Sequence, residues 1–209
     1  AAAAGKLGRL CAALPERRCA LLSAGGAAGG ASNAAGAAAP DASAAPTRYL
    51  VDYILDKTGS KGTGKFIWID HCTVSNAQDG SIDITKGADL ITVSYNRVTQ
   101  HDKSMLIGGS DSLTSDAGKL RVTIANNVFD GVTQRVPRVR FGQVHVFNNY
   151  FVGSKTANPY PHLYSIGLGK QGNVISHANV FAIDGAVGCD SVVMYPSSDR
   201  SGVFQDGGS

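Results

Sequence analysis

The chain has 209 residues, a length that suits one domain of ordinary or slightly large size. Hydrophobic residues make up 43% and charged ones 17%, with a net charge of +3; this is too mild to argue for nucleic acid, but compatible with an acidic polymer held in a local basic groove. No apolar run reaches the length of a transmembrane helix, and 26 glycines with few charge-rich helical patterns favour an all-β, turn-rich chain.

Residues 1–46 are dominated by Ala and Gly and show little hydrophobic periodicity from Ala24 to Pro46, as in a linker or disordered segment. Leu7–Leu22 carries a weak helical pattern interrupted by Pro15, and no function is drawn from this segment. The chain starts without Met or a recognisable signal, as a processed form does. The folded domain is expected over 47–209, with Gly59, Gly62 and Gly64 marking turns at its start. Cys11 and Cys19 are candidates to pair in an oxidising compartment, whereas Cys72 and Cys189 read as core residues.

From Phe66 onward, short β runs resemble one another: Ile67–Cys72, Ile91–Asn96, Val122–Asn127, Val144–Asn149 and Val174–Asn179. Each opens on Ile or Val, and four of the five carry Asn at the sixth place. Their starts are 24, 31, 22 and 30 residues apart. Three are followed by Val-Phe or Tyr-Phe. Self-similarity at such intervals predicts a solenoid, here a parallel β-helix with one strand-rich coil per interval. Asn tolerates the left-handed conformation of a sharp bend, and its amide can bond the Asn one coil away to form a ladder. Ser81–Ile84, Met105–Ile107, Val139–Phe141 and Ser165–Leu168 are expected to supply further strands of each coil. A β-sandwich also uses short strands, but gives no reason for Asn at matched strand ends.

Three places carry candidate chemistry. Asp79 and Asp83 flank a short extended run and share a face, presenting hard oxygen ligands of the kind that suit Ca²⁺. Asp56, in the Gly-rich turn before the first coil, is a candidate third ligand, while Asp52, Asp70 and Asp89 read as ordinary turn or surface acids. Lys103, in His101-Asp102-Lys103, lies one coil beyond the acid pair, and Arg135 one coil beyond Lys103. In Arg135-Val-Pro-Arg-Val-Arg140, alternation puts Arg138 and Arg140 on one face and Val139 and Phe141 on the other. Such guanidinium arrays recognise carboxylates; a solvated basic edge strand is the other reading of the same residues. His71 and His101, lacking partners at ligand spacing, read as structural hydrogen-bonding residues.

Trp68-Ile-Asp-His71, Asp79-Gly-Ser-Ile-Asp83, His101-Asp-Lys103 and Arg135-Val-Pro-Arg-Val-Arg140, with the text between them, resemble the motifs of the pectate lyases of polysaccharide lyase family 1. The resemblance covers about residues 66 to 185. It implies a right-handed, single-stranded parallel β-helix and Ca²⁺-dependent cleavage of α-1,4-linked polygalacturonate by β-elimination. Carried over by position, Asp79 and Asp83 are Ca²⁺ ligands with Asp56 the nearest third, and Lys103 binds a uronate carboxylate. Arg135 is the base for the C5 proton, with Arg140 binding substrate beside it. A secreted, extracellular monomer acting on pectate, with no nucleic acid or membrane partner, is the matching expectation. Arginine stays protonated at neutral pH, so the reading predicts activity that rises above neutral pH and vanishes with chelator. The alternatives are a pectin lyase on methyl-esterified substrate, against which the acid pair and Lys103 argue, and a non-catalytic β-helix that binds acidic glycans. A related hydrolase needs a second carboxylate pair, which is not found near Arg135.

Overall fold

The computed structural model describes residues 20–23 and 64–209. Its strands are β1 (Ala20–Ser23), β2 (Lys65–Asp70), β3 (Thr73–Val74), β4 (Asp89–Ser94), β5 (Arg97–Lys103), β6 (Leu106–Ile107), β7 (Arg121–Ala125) and β8 (Val128–Gln134). They continue as β9 (Arg138–Val139), β10 (Gln143–Phe147), β11 (Tyr150–Ser154), β12 (Ile166–Leu168), β13 (Asn173–His177), β14 (Val180–Asp184), β15 (Val193–Met194) and β16 (Val203–Asp206). Three sheets result, ordered β1-β2-β4-β7-β10-β13-β16, β14-β11-β8-β5-β3 and β15-β12-β9-β6. Every pairing is parallel except that of β1 with β2. The chain therefore visits each sheet once per coil, and the fold is a parallel β-helix.

All five sequence repeats lie on the first sheet. Ile67, Ile91, Val122, Val144 and Val174 point inward and are buried, and Ile69, Val93, Ile124 and Val146 form a second inward column. Each such side chain contributes about 2 kcal/mol on burial. The Val-Phe and Tyr-Phe pairs open β8, β11 and β14, where Phe129, Phe151 and Phe181 stack with centroids 5.1 and 4.5 Å apart. The apolar filling is thus one column per coil position, which is why the period shows in the sequence.

The Asn ladder forms at the corner between the first two sheets. Nδ2 of Asn96 donates to Oδ1 of Asn127, Asn127 to Asn149 and Asn149 to Asn179, at 2.9–3.0 Å. Each Oδ1 also accepts the backbone N–H of the residue one coil before, beginning with Cys72 at 2.9 Å. One part of the expectation is corrected. The left-handed residues at this corner are His71, Tyr95, Asn126, Asn148 and Ala178, one place before the ladder position. Their side chains are thereby thrown outward, and the ladder Asn is left to turn inward.

Two further expectations change. Ala20–Ser23, at the end of the weak helical pattern, is a strand antiparallel to β2, so edge pairing prevails over local periodicity there. Cys189 is not a core residue but a free, exposed thiol on a short turn, while Cys72 is buried and disulfide-bonded.

Candidate active site

The site lies along the four-stranded sheet and the bends that lead into it. The Asp79–Asp83 turn docks on the next coil through Ser81 and Ile82 N–H to Ser104 O (2.6 and 3.0 Å) and Ile84 N–H to Leu106 O (2.7 Å). That coil docks on the Arg135 coil through Met105 N–H to Arg135 O (2.6 Å), Arg138 N–H to Met105 O (2.9 Å) and Arg140 N–H to Ile107 O (2.7 Å). The acids, the lysine and the arginines therefore occupy three successive coils on one side of the helix.

Across the first of these steps the acid and lysine side chains meet. Lys103 Nζ stands 3.4 Å from Asp79 Oδ1 and 3.8 Å from Asp102 Oδ2, with about a third of its side chain exposed. Asp79 is held from behind by His101, whose Nε2 lies 2.5 Å from the Asp79 carbonyl, so His101 is structural as expected. Likewise His71 pairs with Asp70. Asp83 Oδ1 accepts the Leu106 N–H at 2.9 Å. A Cβ on Gly80 would stand 2.1 Å from that same oxygen, so only glycine leaves room for the Asp83 carboxylate to fold back over the turn. The pair is an all-oxygen donor set on one short turn, the chemistry that calcium prefers. Among the described residues no third acidic, His or Cys ligand joins them. Asp56 and Asp52 lie outside the described residues.

In the register of β5 with β8, Lys103 faces Gln134, whose Nε2 donates to Asp102 Oδ1 at 3.0 Å. Arg135 follows at the bend in a left-handed conformation (φ 60°), one residue past the position that faces Lys103. Past Pro137, Val139 and Phe141 are buried, while Arg138 and Arg140 take the other face, matching the alternation. Arg140 is largely covered: its Nε donates to Asp111 at 2.6 Å and its Nη1 to the Gly108 carbonyl at 3.2 Å. Burial, and then the charge of Arg140, pull Arg138 below the usual arginine range.

Sequence reasoning missed two residues of this site. Tyr164 is buried beneath the arginines, with Arg138 beside it as the array implied. Asp111 anchors Arg140 from 29 residues away. Their only signal was the arginine spacing itself; Tyr164 and Asp111 lie on other coils, in stretches without a motif.

The family model described as pectate lyase matches residues 60–209. Pectate lyase E of Dickeya chrysanthemi is 43% identical over 167 residues, covering 68% of this chain and 43% of the relative. The pectate lyase of Bacillus subtilis is 40% identical over 149 residues, covering 63% and 36%. A solved mutant of a Bacillus subtilis pectate lyase superposes with a TM-score of 0.63 at 38% identity, covering 68% of this chain and 39% of that one. A pectate lyase bound to a hexasaccharide gives 0.62 at 38% identity, with 66% and 38% covered. The chain spans about two-fifths of the length of these curated relatives. With the family model matched over most of its length and the acids, lysine and arginines on successive coils, the chain belongs to the pectate lyase family.

Proposed function

We propose that the chain carries the active site of a calcium-dependent pectate lyase, which cleaves α-1,4-linked polygalacturonate by β-elimination to unsaturated oligogalacturonates. The observation that carries this reading is the run Asp79–Lys103–Arg135 on three adjoining coils, with Lys103 already 3.4 Å from Asp79. Asp79 and Asp83 would hold the calcium, with Asp56 assigned as the third ligand. Bound there, the metal would neutralise the uronate carboxylate and favour the charge that develops on it. Lys103, in long ion pairs with two exposed carboxylates, binds the same uronate and adds a second positive charge. Arg135, acting in its neutral guanidine form, takes the C5 proton and becomes guanidinium; the C4–O bond breaks and a C4–C5 double bond forms, while solvent protonates the departing oxygen. Arg140 binds a neighbouring uronate by sharing its contact with Asp111. The enzyme acts as a secreted monomer; the disulfide at Cys72 fits an oxidising compartment. The test is release of unsaturated uronate from polygalacturonate with calcium, with and without chelator. Product only with calcium is the expected result; an unchanged rate in excess EDTA removes the metal from the mechanism.

A further inference from the structure

Behind Arg135 lies a group of polar atoms that the reaction as written does not use. Nε of Arg135, Nε of Arg138 and the Tyr164 hydroxyl are all buried, and none has a hydrogen-bond partner of good geometry. Tyr164 is 1% exposed. Its segment clamps the Arg135 bend from both sides: Leu163 and Tyr164 N–H donate to Thr133 O at 2.8 and 3.3 Å, and Val136 N–H donates to Ser165 O at 2.7 Å. The ring fits because residue 167 is glycine; a Cβ there would stand 2.7 Å from Tyr164 Cε2 and 3.3 Å from Arg138 Cγ. The phenol is thus led into the arginine cluster by the backbone and by a missing side chain, and its oxygen and the Nε atoms of Arg135 and Arg138 are buried there together without partners.

We propose that Tyr164 is the positioning residue for Arg135: its hydroxyl oxygen accepts an N–H from the inner edge of the guanidinium and so aims the outer nitrogens at the groove. A guanidinium carries five donors in a rigid fork, and fixing one edge fixes the plane of the whole group. A phenol pointed at cations without a partner costs free energy on burial, which a bond to Arg135 recovers. Burial pushes the Tyr164 hydroxyl up from its ordinary pKa against the opposing pull of Arg138 and Arg135. The hydroxyl is therefore harder to ionise than that of an ordinary tyrosine. This inference rests on the reading of Arg135 as the base.

The test is Tyr164→Phe, which keeps the ring and removes only the oxygen. The expected result is a kcat lowered about 100-fold, the loss that misplacing a reacting group causes, with KM for oligogalacturonate within about twofold of the parent. Nitrogen-15 NMR of the arginine side chains is the readout independent of turnover. The Arg135 Nε–H resonance should exchange with solvent faster in the variant, while the melting temperature holds. Unchanged kcat with unchanged exchange overturns the proposal, as does a shared fall in kcat and melting temperature with the Arg135 resonance unmoved. If the parent releases no unsaturated uronate, the lyase reading fails by itself, and the exchange measurement still decides the Tyr164–Arg135 contact.

Discussion

Asn127 is the rung on which the ladder's energetics are easiest to isolate. Its Oδ1 accepts from Asn96 N–H and Nδ2 at 2.9 and 3.0 Å, and its Nδ2 donates to Val93 O and Asn149 Oδ1, both at 2.9 Å. Asn127→Asp is nearly isosteric. One carboxylate oxygen keeps the contacts from Asn96, but the other then faces two acceptors where two donors stood. Two lost bonds at about 1 kcal/mol each, plus a buried charge repelled by oxygens, give about 4 kcal/mol at neutral pH. That is a large share of the total for a domain. The introduced carboxyl has a folded pKa raised by burial and by those oxygens. The penalty is therefore full above that raised pKa and shrinks as pH falls toward the ordinary carboxyl value, where a neutral acid again donates one bond. Asn126→Asp is the control, since Asn126 occupies the left-handed bend with its side chain outward, paired to Asn148. It should cost under about 0.5 kcal/mol. Urea unfolding followed by the fluorescence of Trp68, the single tryptophan, reads both variants across pH. Equal losses at 126 and 127, or a gap at 127 that does not narrow in acid, refute the ladder argument.

Among the described residues, His162 and Asp89 carry the large shifts that shape the acid response of the parent. Burial, aided by Lys155, holds His162 neutral to about 4, so stability is complete above its ordinary 6.5 and falls between there and about 4. His162→Phe should flatten that window by about 2 kcal/mol in urea titrations. Hydrogen bonds from Arg121 hold the Asp89 carboxyl down at about 2, so its contribution is present above 3.8 and lost below it. With Arg121 half exposed, about 1 kcal/mol is expected to go in that lower window, and Asp89→Asn should remove the step. Gly80→Ala should act on the site rather than on the fold, because its Cβ meets only the movable end of Asp83. The half-saturating calcium concentration should rise at least about tenfold, as for a disturbed metal-site neighbour, with the melting temperature kept. Unchanged calcium dependence would separate Asp83 from the metal.

The β-helix was legible because its physics repeats: a buried Val or Ile column recurs in every coil, and a ladder Asn in four of the five. The same stacking made Lys103 and Arg135 readable as neighbours, since consecutive coils are consecutive in the chain. Features formed once left no such trace. The Arg140–Asp111 contact and the place of Tyr164 under Arg135 depend on side-chain reach between coils. The left-handed corner residues include His, Tyr, Asn and Ala, so no single residue type announces them. Cys72 looked like any small core residue, and only its environment shows it as both disulfide partner and end of the ladder.

The most direct test replaces the proposed base without altering the acids and lysine beside it: Arg135→Lys, assayed for ultraviolet absorbance of unsaturated uronate from polygalacturonate in saturating calcium. Lysine keeps the charge but loses the planar fork, and turnover should fall at least about 1,000-fold while folding and calcium affinity are retained. Turnover within a few-fold of the parent would contradict the account, since the proton would then leave C5 by some route other than Arg135.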